Sequence, residues 1–144
     1  MTYQADIAIL GAGPGGYVAA LRAAQLQAKT ILIEEDKIGG VCLNSGCMPT
    51  KTMLRSAEVF RQFKRAKSYG LRVQGDVVAD WGAILKRKDT VVKQLTAGVG
   101  GLLRKSNVEI IPGRGRFSAP GKILVETTDG LEEIQYKSAI IATG

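Results

Sequence analysis

Residues 5–34 read ADIAILGAGPGGYVAALRAAQLQAKTILIE, and the architecture of the protein follows from them. The short apolar run at 5–10 predicts a buried strand, and the alanine-rich run at 17–26 predicts a slim helix that can pack close to a sheet. The β-branched run at 30–33 predicts a second strand. A strand, a glycine turn, a helix and a strand in this order predict a parallel pair, and hence an α/β fold.

The glycine turn between the first strand and the helix carries the pattern Gly11-x-Gly13-x-x-Gly16. This pattern is weak alone, but here Glu34 ends the second strand, as in dinucleotide-binding units. Gly11 permits a tight turn, Gly13 lets the backbone approach a pyrophosphate, and Gly16 lets helix and strand pack closely. The helix N-terminus offers free N–H groups to phosphates, and Glu34 can accept hydrogen bonds from ribose hydroxyls. The alternative is a glycine turn with an incidental acid.

The second motif is a pair of cysteines, Cys42 and Cys47, separated by four residues. Two structural thiols or a weak metal site are alternatives, but two ligands cannot close a zinc site, so we expect no metal. Pro49 predicts that a helix begins near Cys47, where the helix dipole favours a thiolate, and Lys51 adds positive charge. A thiol pair directly after a dinucleotide-binding unit suggests electron transfer between the thiols and a bound cofactor.

The rest of the chain predicts further helices and strands. Residues 35–46 are expected to form a loop, and a helix is expected from Pro49 through Arg61, ending near Gly70. The clearest helical periodicity runs from Trp81 to Leu103, with Trp81 expected to anchor the core. Strands are expected at 108–111, 122–127, 132–136 and 138–141, with a hairpin turn at Asp129-Gly130. Because the chain stops directly after a buried-type strand, we expect a part of a longer protein.

Composition excludes several classes of protein. The chain has 144 residues, 45% hydrophobic and 23% charged, which suits one globular domain. It contains no histidine, which removes Ser-His-Asp and Cys-His catalysis from within the chain. Neither a signal peptide nor a membrane span is expected, so a cytoplasmic location is the default. The net charge of +7 fits an anionic ligand, a nucleic acid or a solvated surface, and does not choose among them.

The cysteine segment Gly39-Gly-Val-Cys-Leu-Asn-Ser-Gly-Cys-Met-Pro-Thr-Lys51 resembles the redox-disulfide signature of the class I pyridine nucleotide–disulfide oxidoreductases. Together with the glycine turn, it is most similar to the signature of the dihydrolipoyl dehydrogenases, and mercuric reductases are the next most similar group. The resemblance extends from Asp6 to Gly144. It implies a Rossmann-like FAD-binding domain with a parallel sheet, flanking helices and a small antiparallel β-meander, of which residues 1–144 would be the N-terminal part.

The resemblance implies that FAD, rather than NAD, occupies the glycine turn. Glu34 would hold the adenosine ribose, and the segment Gly113–Phe117, with Gly115, would lie near the adenine. The flavin side of the cofactor would be met by residues 142–144. The full set of implied cofactor-binding residues is Gly11, Gly13, Pro14, Gly15, Gly16, Glu34, Gly40, Val41, Cys42, Cys47, Lys51, Gly115, Ala142, Thr143 and Gly144.

The implied reaction is oxidation of dihydrolipoamide to lipoamide, with electrons passing through the cysteine pair and FAD to NAD⁺. Cys42 would be the interchange thiol that attacks the substrate disulfide, Cys47 would face the flavin, and Lys51 would lie near its reactive nitrogen. Family members are homodimers, and some serve 2-oxo acid dehydrogenase complexes. The NAD-binding domain, the dimer-interface domain and the His-Glu base supplied by the partner subunit are not expected within these residues.

Two alternatives remain at this stage. One is another disulfide reductase of the same family, such as a mercuric reductase. The other is a non-catalytic module that binds a nucleotide or, through its basic residues, a nucleic acid. The basic cluster Arg61, Lys64, Arg65 and Lys67 is expected to be a solvated helix face. We therefore expect neither a nucleic-acid nor a membrane partner.

Overall fold

The computed structural model describes residues 2–144. Four α-helices, one 3₁₀ helix and six strands follow one another in these residues. In chain order they are β1 (Thr2–Leu10), α1 (Pro14–Gln25), β2 (Thr30–Glu34), α2 (Gly40–Asn44), α3 (Cys47–Lys64), the 3₁₀ helix (Ala66–Tyr69), α4 (Trp81–Lys105), β3 (Glu109–Pro112), β4 (Arg114–Ala119), β5 (Lys122–Thr127) and β6 (Gly130–Ile141).

The strands form one sheet in the order β3-β2-β1-β6-β5-β4. The four strands β3, β2, β1 and β6 run parallel, whereas β5 is antiparallel to both β6 and β4. Leu10 at the end of β1 is in register with Ile33 of β2 and Ile141 of β6. The carboxyl ends of the parallel strands therefore meet at one edge. The expected Rossmann-like α/β fold with a parallel sheet and an antiparallel meander is confirmed.

The core consists of two apolar clusters, one on each face of the parallel strands. On one face, α1 and α4 cover Ile9 and Leu32, and Leu103 of α4 is fully buried there. On the other face the meander folds back over the sheet, so that Ile123 and Ile134 pack with β1 and β2. A Cβ at Gly115 would lie 3.3 Å from Ile33 Cγ2, which shows how closely β4 crosses over β2.

Three expectations about local structure are wrong. Residues 35–46 are not entirely a loop, because Gly40–Asn44 form the short helix α2. Arg114–Ala119 form strand β4, which the glycine- and arginine-rich sequence did not predict. The two short strands expected at 132–136 and 138–141 are one continuous strand, β6. In each case the observed structure is stabilised by hydrogen bonding or packing with residues that are distant in the sequence.

The expectation that Trp81 anchors the core is also wrong, because this residue is 59% exposed. The helix it begins has 25 residues, which corresponds to about 37 Å. The five residues of β2 span only about 17 Å, so the helix extends beyond the sheet it covers. Its buried residues, Gly100 and Leu103, lie in its C-terminal part. The N-terminal part packs instead on α3, where Arg87 Nη1 donates to the Thr52 carbonyl at 3.2 Å.

Candidate functional site

The glycine turn between β1 and α1 is built by three glycines with different roles. Gly11 has φ +96°, and a Cβ there would collide with the carbonyl oxygen of Ala142. A Cβ at Gly16 would collide with the carbonyl oxygen of Gly11, so α1 and β1 pack in backbone contact. A Cβ at Gly13 would meet nothing within 4 Å. The protein itself therefore does not require glycine at position 13, and the surface there is open to a ligand.

Helix α1 presents its N-terminus to this open surface. Gly13 is the N-cap residue, Pro14 follows it, and no side chain caps the helix. The first N–H groups of a helix have no intrahelical partners, and together with the helix dipole they attract anions. The first turn also contains no acidic residue that would compete for these groups. The turn is therefore suited to bind a phosphate or pyrophosphate.

Glu34 lies at the carboxyl end of β2, beside the glycine turn. Its Oε2 accepts a hydrogen bond from the Ala12 N–H at 2.6 Å, and its Oε1 accepts one from the Asp36 N–H at 2.9 Å. These bonds fix the carboxylate, and each oxygen keeps a further lone pair for a donor such as a hydroxyl. The negative charge of the Glu34 carboxylate disfavours the binding of a further phosphate group beside it.

The helix α2 rests directly on the glycine turn. The Gly39 N–H donates to the Ala12 carbonyl at 2.8 Å, and a Cβ at Gly40 would lie 2.8 Å from Gly13 Cα. The Asn44 side chain donates to the carbonyl of Gly40 at 2.8 Å and so holds the helix together. This close packing brings the segment that carries Cys42 against the turn.

The two thiols are free and lie close together. Cys47 is exposed and is the first residue of α3, whereas Cys42 is half-buried in α2. A hydrogen bond with the Cys47 side chain, together with burial, raises the pKa of Cys42. The positive charge of Lys51 acts in the opposite direction on that pKa. Burial and the neighbouring sulfur therefore disfavour a negative charge on Cys42.

These parts border one long groove at the carboxyl edge of the sheet. Its larger cavity, of about 740 Å³, is lined by Gly11, Gly13, Pro14, Gly15, Glu34, Glu35, Asp36, Lys37, Gly40, Val41, Cys42, Asn44, Ser45, Cys47, Ala142, Thr143 and Gly144. A smaller cavity of about 280 Å³ is lined by Leu10, Gly11, Ile33, Glu34, Glu35, Gly113, Arg114, Gly115 and Thr143. The two linings share Gly11, Glu34, Glu35 and Thr143, so the cavities lie next to each other. The volume of the larger cavity is typical of ligand and cofactor sites.

Residues 5–144 match the family model of the pyridine nucleotide-disulphide oxidoreductases. The chain belongs to this family. The curated relatives include three dihydrolipoyl dehydrogenases. The one from Acholeplasma laidlawii is 46% identical over 100% of this chain and 42% of its own length. The one from Zymomonas mobilis is 50% identical over 96% of this chain and 30% of its own length, and the one from Bacillus subtilis is 43% identical over 100% of this chain and 32% of its own length. The chain thus spans less than half of the length of these relatives.

Among solved structures, the chain is similar to a Cu(II) complex of the HOCl-induced flavoprotein disulfide reductase RclA from Escherichia coli. The TM-score is 0.80 at 27% sequence identity, covering 100% of this chain and 29% of the other. The backbone arrangement described above is therefore shared with an oxidoreductase of the disulfide reductase type.

Most of the cofactor-binding residues that the family resemblance implies line the groove. The larger cavity holds all of them except Gly16, Lys51 and Gly115. Gly115 lies in the smaller cavity, Gly16 is covered by the contact between α1 and β1, and Lys51 is exposed on α3 near the thiols.

Five residues that line the larger cavity were not predicted. They are Glu35, Asp36, Lys37, Asn44 and Ser45. Their positions in the sequence could have indicated them, because residues 35–37 directly follow the carboxyl end of β2, and residues 44 and 45 lie between the two cysteines. Residues at such strand ends border the ligand sites of open α/β sheets.

Within residues 2–144, no group of three or more His, Cys, Asp and Glu side chains could hold a metal ion. None of the helices in this part of the chain has the length and apolarity needed to cross a membrane.

Proposed function

We propose that the groove binds FAD and that residues 1–144 form the N-terminal part of the FAD-binding domain of a dihydrolipoyl dehydrogenase. The observation that carries this proposal is the placement of a thiol pair in the same cavity as an uncapped, glycine-lined helix N-terminus. The family membership and the names of the curated relatives support it.

The residues present fit this cofactor. The open face of Gly13 and the N-terminus of α1 suit a pyrophosphate, with Gly11, Pro14, Gly15 and Gly16 shaping the turn. The fixed carboxylate of Glu34 suits the ribose hydroxyls, and the smaller cavity beside Gly115 suits the adenine. The flavin part is assigned to the wider end of the groove, which is bordered by Gly40, Val41, Cys42, Cys47, Ala142, Thr143 and Gly144, with Lys51 nearby.

In this proposal the thiol pair passes two electrons between substrate and cofactor. A thiolate of dihydrolipoamide attacks Cys42 Sγ of the Cys42–Cys47 disulfide, forming a mixed disulfide and releasing the Cys47 thiolate. The second substrate thiol then attacks the substrate sulfur bound to Cys42, so that lipoamide leaves and Cys42 is released as a thiol. The N-terminus of α3 stabilises the Cys47 thiolate. FAD, when bound, accepts these electrons and delivers them to NAD⁺.

The remaining parts of the proposal concern the whole protein. NAD⁺ binds on a domain outside residues 1–144, and the active form is a homodimer located in the cytoplasm. Its substrate is dihydrolipoamide or a similar dithiol, and it serves a 2-oxo acid dehydrogenase complex. The relatives' names support the dihydrolipoamide-type substrate, and the other statements rest on the family resemblance.

An anaerobic titration of the purified chain with FAD, followed by a dithiol, tests the proposal. We expect the chain to retain flavin and a new long-wavelength absorption band to develop on two-electron reduction. Gly13→Val should abolish flavin retention without unfolding the chain, because its side chain meets no protein atom near Cβ. Gly98→Val is the matched control, since position 98 is equally open but lies on α4. Flavin retained by Gly13→Val would contradict the assignment of the turn.

A further inference from the structure

We propose that Arg114 is a further cofactor-binding residue, whose guanidinium group stacks on the adenine ring, and that Glu35 positions this group. The inference rests on the proposed function, because it concerns the adenine end of the same cofactor. The family resemblance places the segment Gly113–Phe117 near the adenine, but it gives neither of these two side chains a role. The observation that carries the inference is an ion pair beside the smaller cavity.

The ion pair joins two segments that meet at this cavity. Arg114 Nε lies 3.6 Å from Glu35 Oε2. Glu35 directly follows β2, and Arg114 is the first residue of β4. Both residues line the cavity of about 280 Å³. The pair therefore borders the space that the proposed function assigns to the adenine.

The backbone that carries the two side chains is fixed. The Gly113 N–H donates to the Glu34 carbonyl at 2.9 Å, so the residue before Arg114 is bonded to the residue before Glu35. A Cβ at Gly113 would lie 2.5 Å from the Glu126 carbonyl oxygen, so the chain passes directly against β5 here. The two side chains therefore start from backbone positions that are fixed relative to each other.

The lining of the cavity suits a flat aromatic base. Leu10 and Ile33 are buried and supply apolar atoms. Gly115 lies against them, because a Cβ there would be 3.3 Å from Ile33 Cγ2 and 3.4 Å from Leu10 Cδ2. Among the described residues that line this cavity, only Arg114 has a positively charged side chain. A planar guanidinium group stacks on aromatic rings and is attracted by their π-electrons.

The ion pair adds little to the stability of the fold. The side chains of Arg114 and Glu35 are 80% and 63% exposed, and exposed ion pairs are weakened by water and salt. Arg116 and Glu126 form a second exposed pair at the same distance of 3.6 Å. Neither member of this second pair lines the two cavities of the groove. Arg116 is therefore a matched control for Arg114 on the same strand.

Calorimetric titration with ADP measures the contribution of Arg114 without the flavin. Arg114→Met should raise the dissociation constant of ADP about two- to fivefold, because it removes the guanidinium group from the ring. Arg116→Met should leave the dissociation constant unchanged, and both variants should keep the wild-type free energy of unfolding. A wild-type dissociation constant in Arg114→Met, or an equal increase in both variants, would overturn the assignment.

Stacking on the base has to be separated from attraction of the phosphates. UDP has the same ribose and phosphates as ADP, but its smaller ring offers less surface for stacking. Wild type should therefore bind ADP more tightly than UDP, and Arg114→Met should reduce this ratio of affinities. Arg114→Lys keeps the charge without the planar group, so it should reduce the ratio as well. A wild-type ratio in either variant would mean that Arg114 does not act by stacking.

The positioning role of Glu35 requires the same ratio, since removal of a carboxylate favours the binding of any anion. Glu35→Gln should reduce the ADP-to-UDP ratio, because the guanidinium group loses its ion-pair partner. The double variant Glu35→Gln/Arg114→Met should have the ratio of Arg114→Met alone, since Glu35 acts through Arg114. Losses that add in the double variant would contradict the positioning role.

Titration with FAD in place of ADP separates this inference from the proposed function. If wild type and Arg114→Met bind FAD equally well, only the role of Arg114 is refuted. If the chain binds ADP with the expected dependence on Arg114 but retains no flavin, only the flavin assignment is refuted. A wild-type chain that binds neither nucleotide refutes both.

Discussion

At the scale of single residues, the site depends on glycines that are required for different reasons. Gly11 needs its positive φ and the absence of a side chain, because the Ala142 carbonyl occupies the space of a Cβ. Gly16 needs only the absence of a side chain, because the Gly11 carbonyl lies against it. Gly13 has an ordinary φ of −68° and open space beside it. Stability therefore depends on two of these glycines, whereas the third leaves open space for the proposed cofactor.

Alanine substitutions separate the two roles. We expect Gly16→Ala to lower the free energy of unfolding by about 1–3 kcal/mol or more, because its Cβ overlaps backbone that cannot move without shifting β1. Gly13→Ala should leave the free energy of unfolding nearly unchanged. Urea denaturation followed by circular dichroism measures both. Equal losses in the two variants would mean that the contact between α1 and β1 is less close than described.

At the scale of elements, the helices differ in how their N-termini are completed. No side chain caps α1, α2 or α3, whose N-termini all border the groove. The long helix α4 begins elsewhere, and there Asp80 Oδ1 accepts a hydrogen bond from the Ala83 N–H at 2.9 Å. The helix ends without caps are thus those that face the candidate site. At α1 the first N–H groups remain available to an anion, whereas the Gly40 N–H of α2 donates to the Lys37 carbonyl at 3.1 Å and the Cys47 N–H of α3 donates to the Cys42 sulfur.

Removing the side chain that caps α4 tests this contrast between capped and uncapped helices. Asp80→Ala should lower the free energy of unfolding by about 0.5–2 kcal/mol, because it leaves an N–H group of the first turn without its partner. Asp76→Ala, in the preceding irregular segment, is the control and should have little effect. Flavin retention should be the same in both variants. A loss of flavin in Asp80→Ala alone would show that α4 affects the groove.

At the scale of the whole molecule, Asp6 links β1 to the start of β2 and to β6, at the end of the strands opposite the groove. Its Oδ2 accepts from the Lys29 N–H at 2.8 Å, just before β2, and its Oδ1 pairs with Lys137 Nζ of β6 at 2.7 Å. The hydrogen bond from Lys137 is the main cause that lowers the pKa of Asp6, and the same bond raises the pKa of Lys137.

These two shifts fix the pH range in which the pair stabilises the fold. The depressed pKa of Asp6 means that its contribution is present above the ordinary value of 3.8 and is lost as the pH falls through the folded pKa. The raised pKa of Lys137 means that its contribution is present below 10.5 and is lost as the pH rises through the folded pKa. The pair therefore acts between these two limits.

Lys137→Met should lower the denaturation midpoint at neutral pH. The deficit relative to wild type should disappear in acid, where Asp6 is protonated in both proteins. Lys93→Met, an exposed substitution on α4, should show no such pH-dependent deficit. Denaturant melts at several pH values provide the comparison. A deficit of Lys137→Met that persists unchanged in strong acid would mean that lost packing, rather than the ion pair, is responsible.

The sequence by itself determined the parts of this protein that depend on neighbouring residues. The turn at Gly11, the strands on either side of α1 and the helix start at Cys47 each follow from backbone requirements within a few residues. The family signature added the groove residues, because such a signature records contacts that no single segment shows. Most of the fold and of the site could be predicted in this way.

Only the tertiary structure decided the features that depend on distant residues. The short helix α2 is held on the glycine turn by backbone contacts at Gly39 and Gly40, and β4 is a strand because β5 pairs with it. Periodicity showed that α4 has an apolar face, but not which part of that face lies over the sheet, so the exposure of Trp81 was missed. A local pattern specifies the conformation of a segment, whereas its surroundings are set by the long-range packing that the whole chain must satisfy.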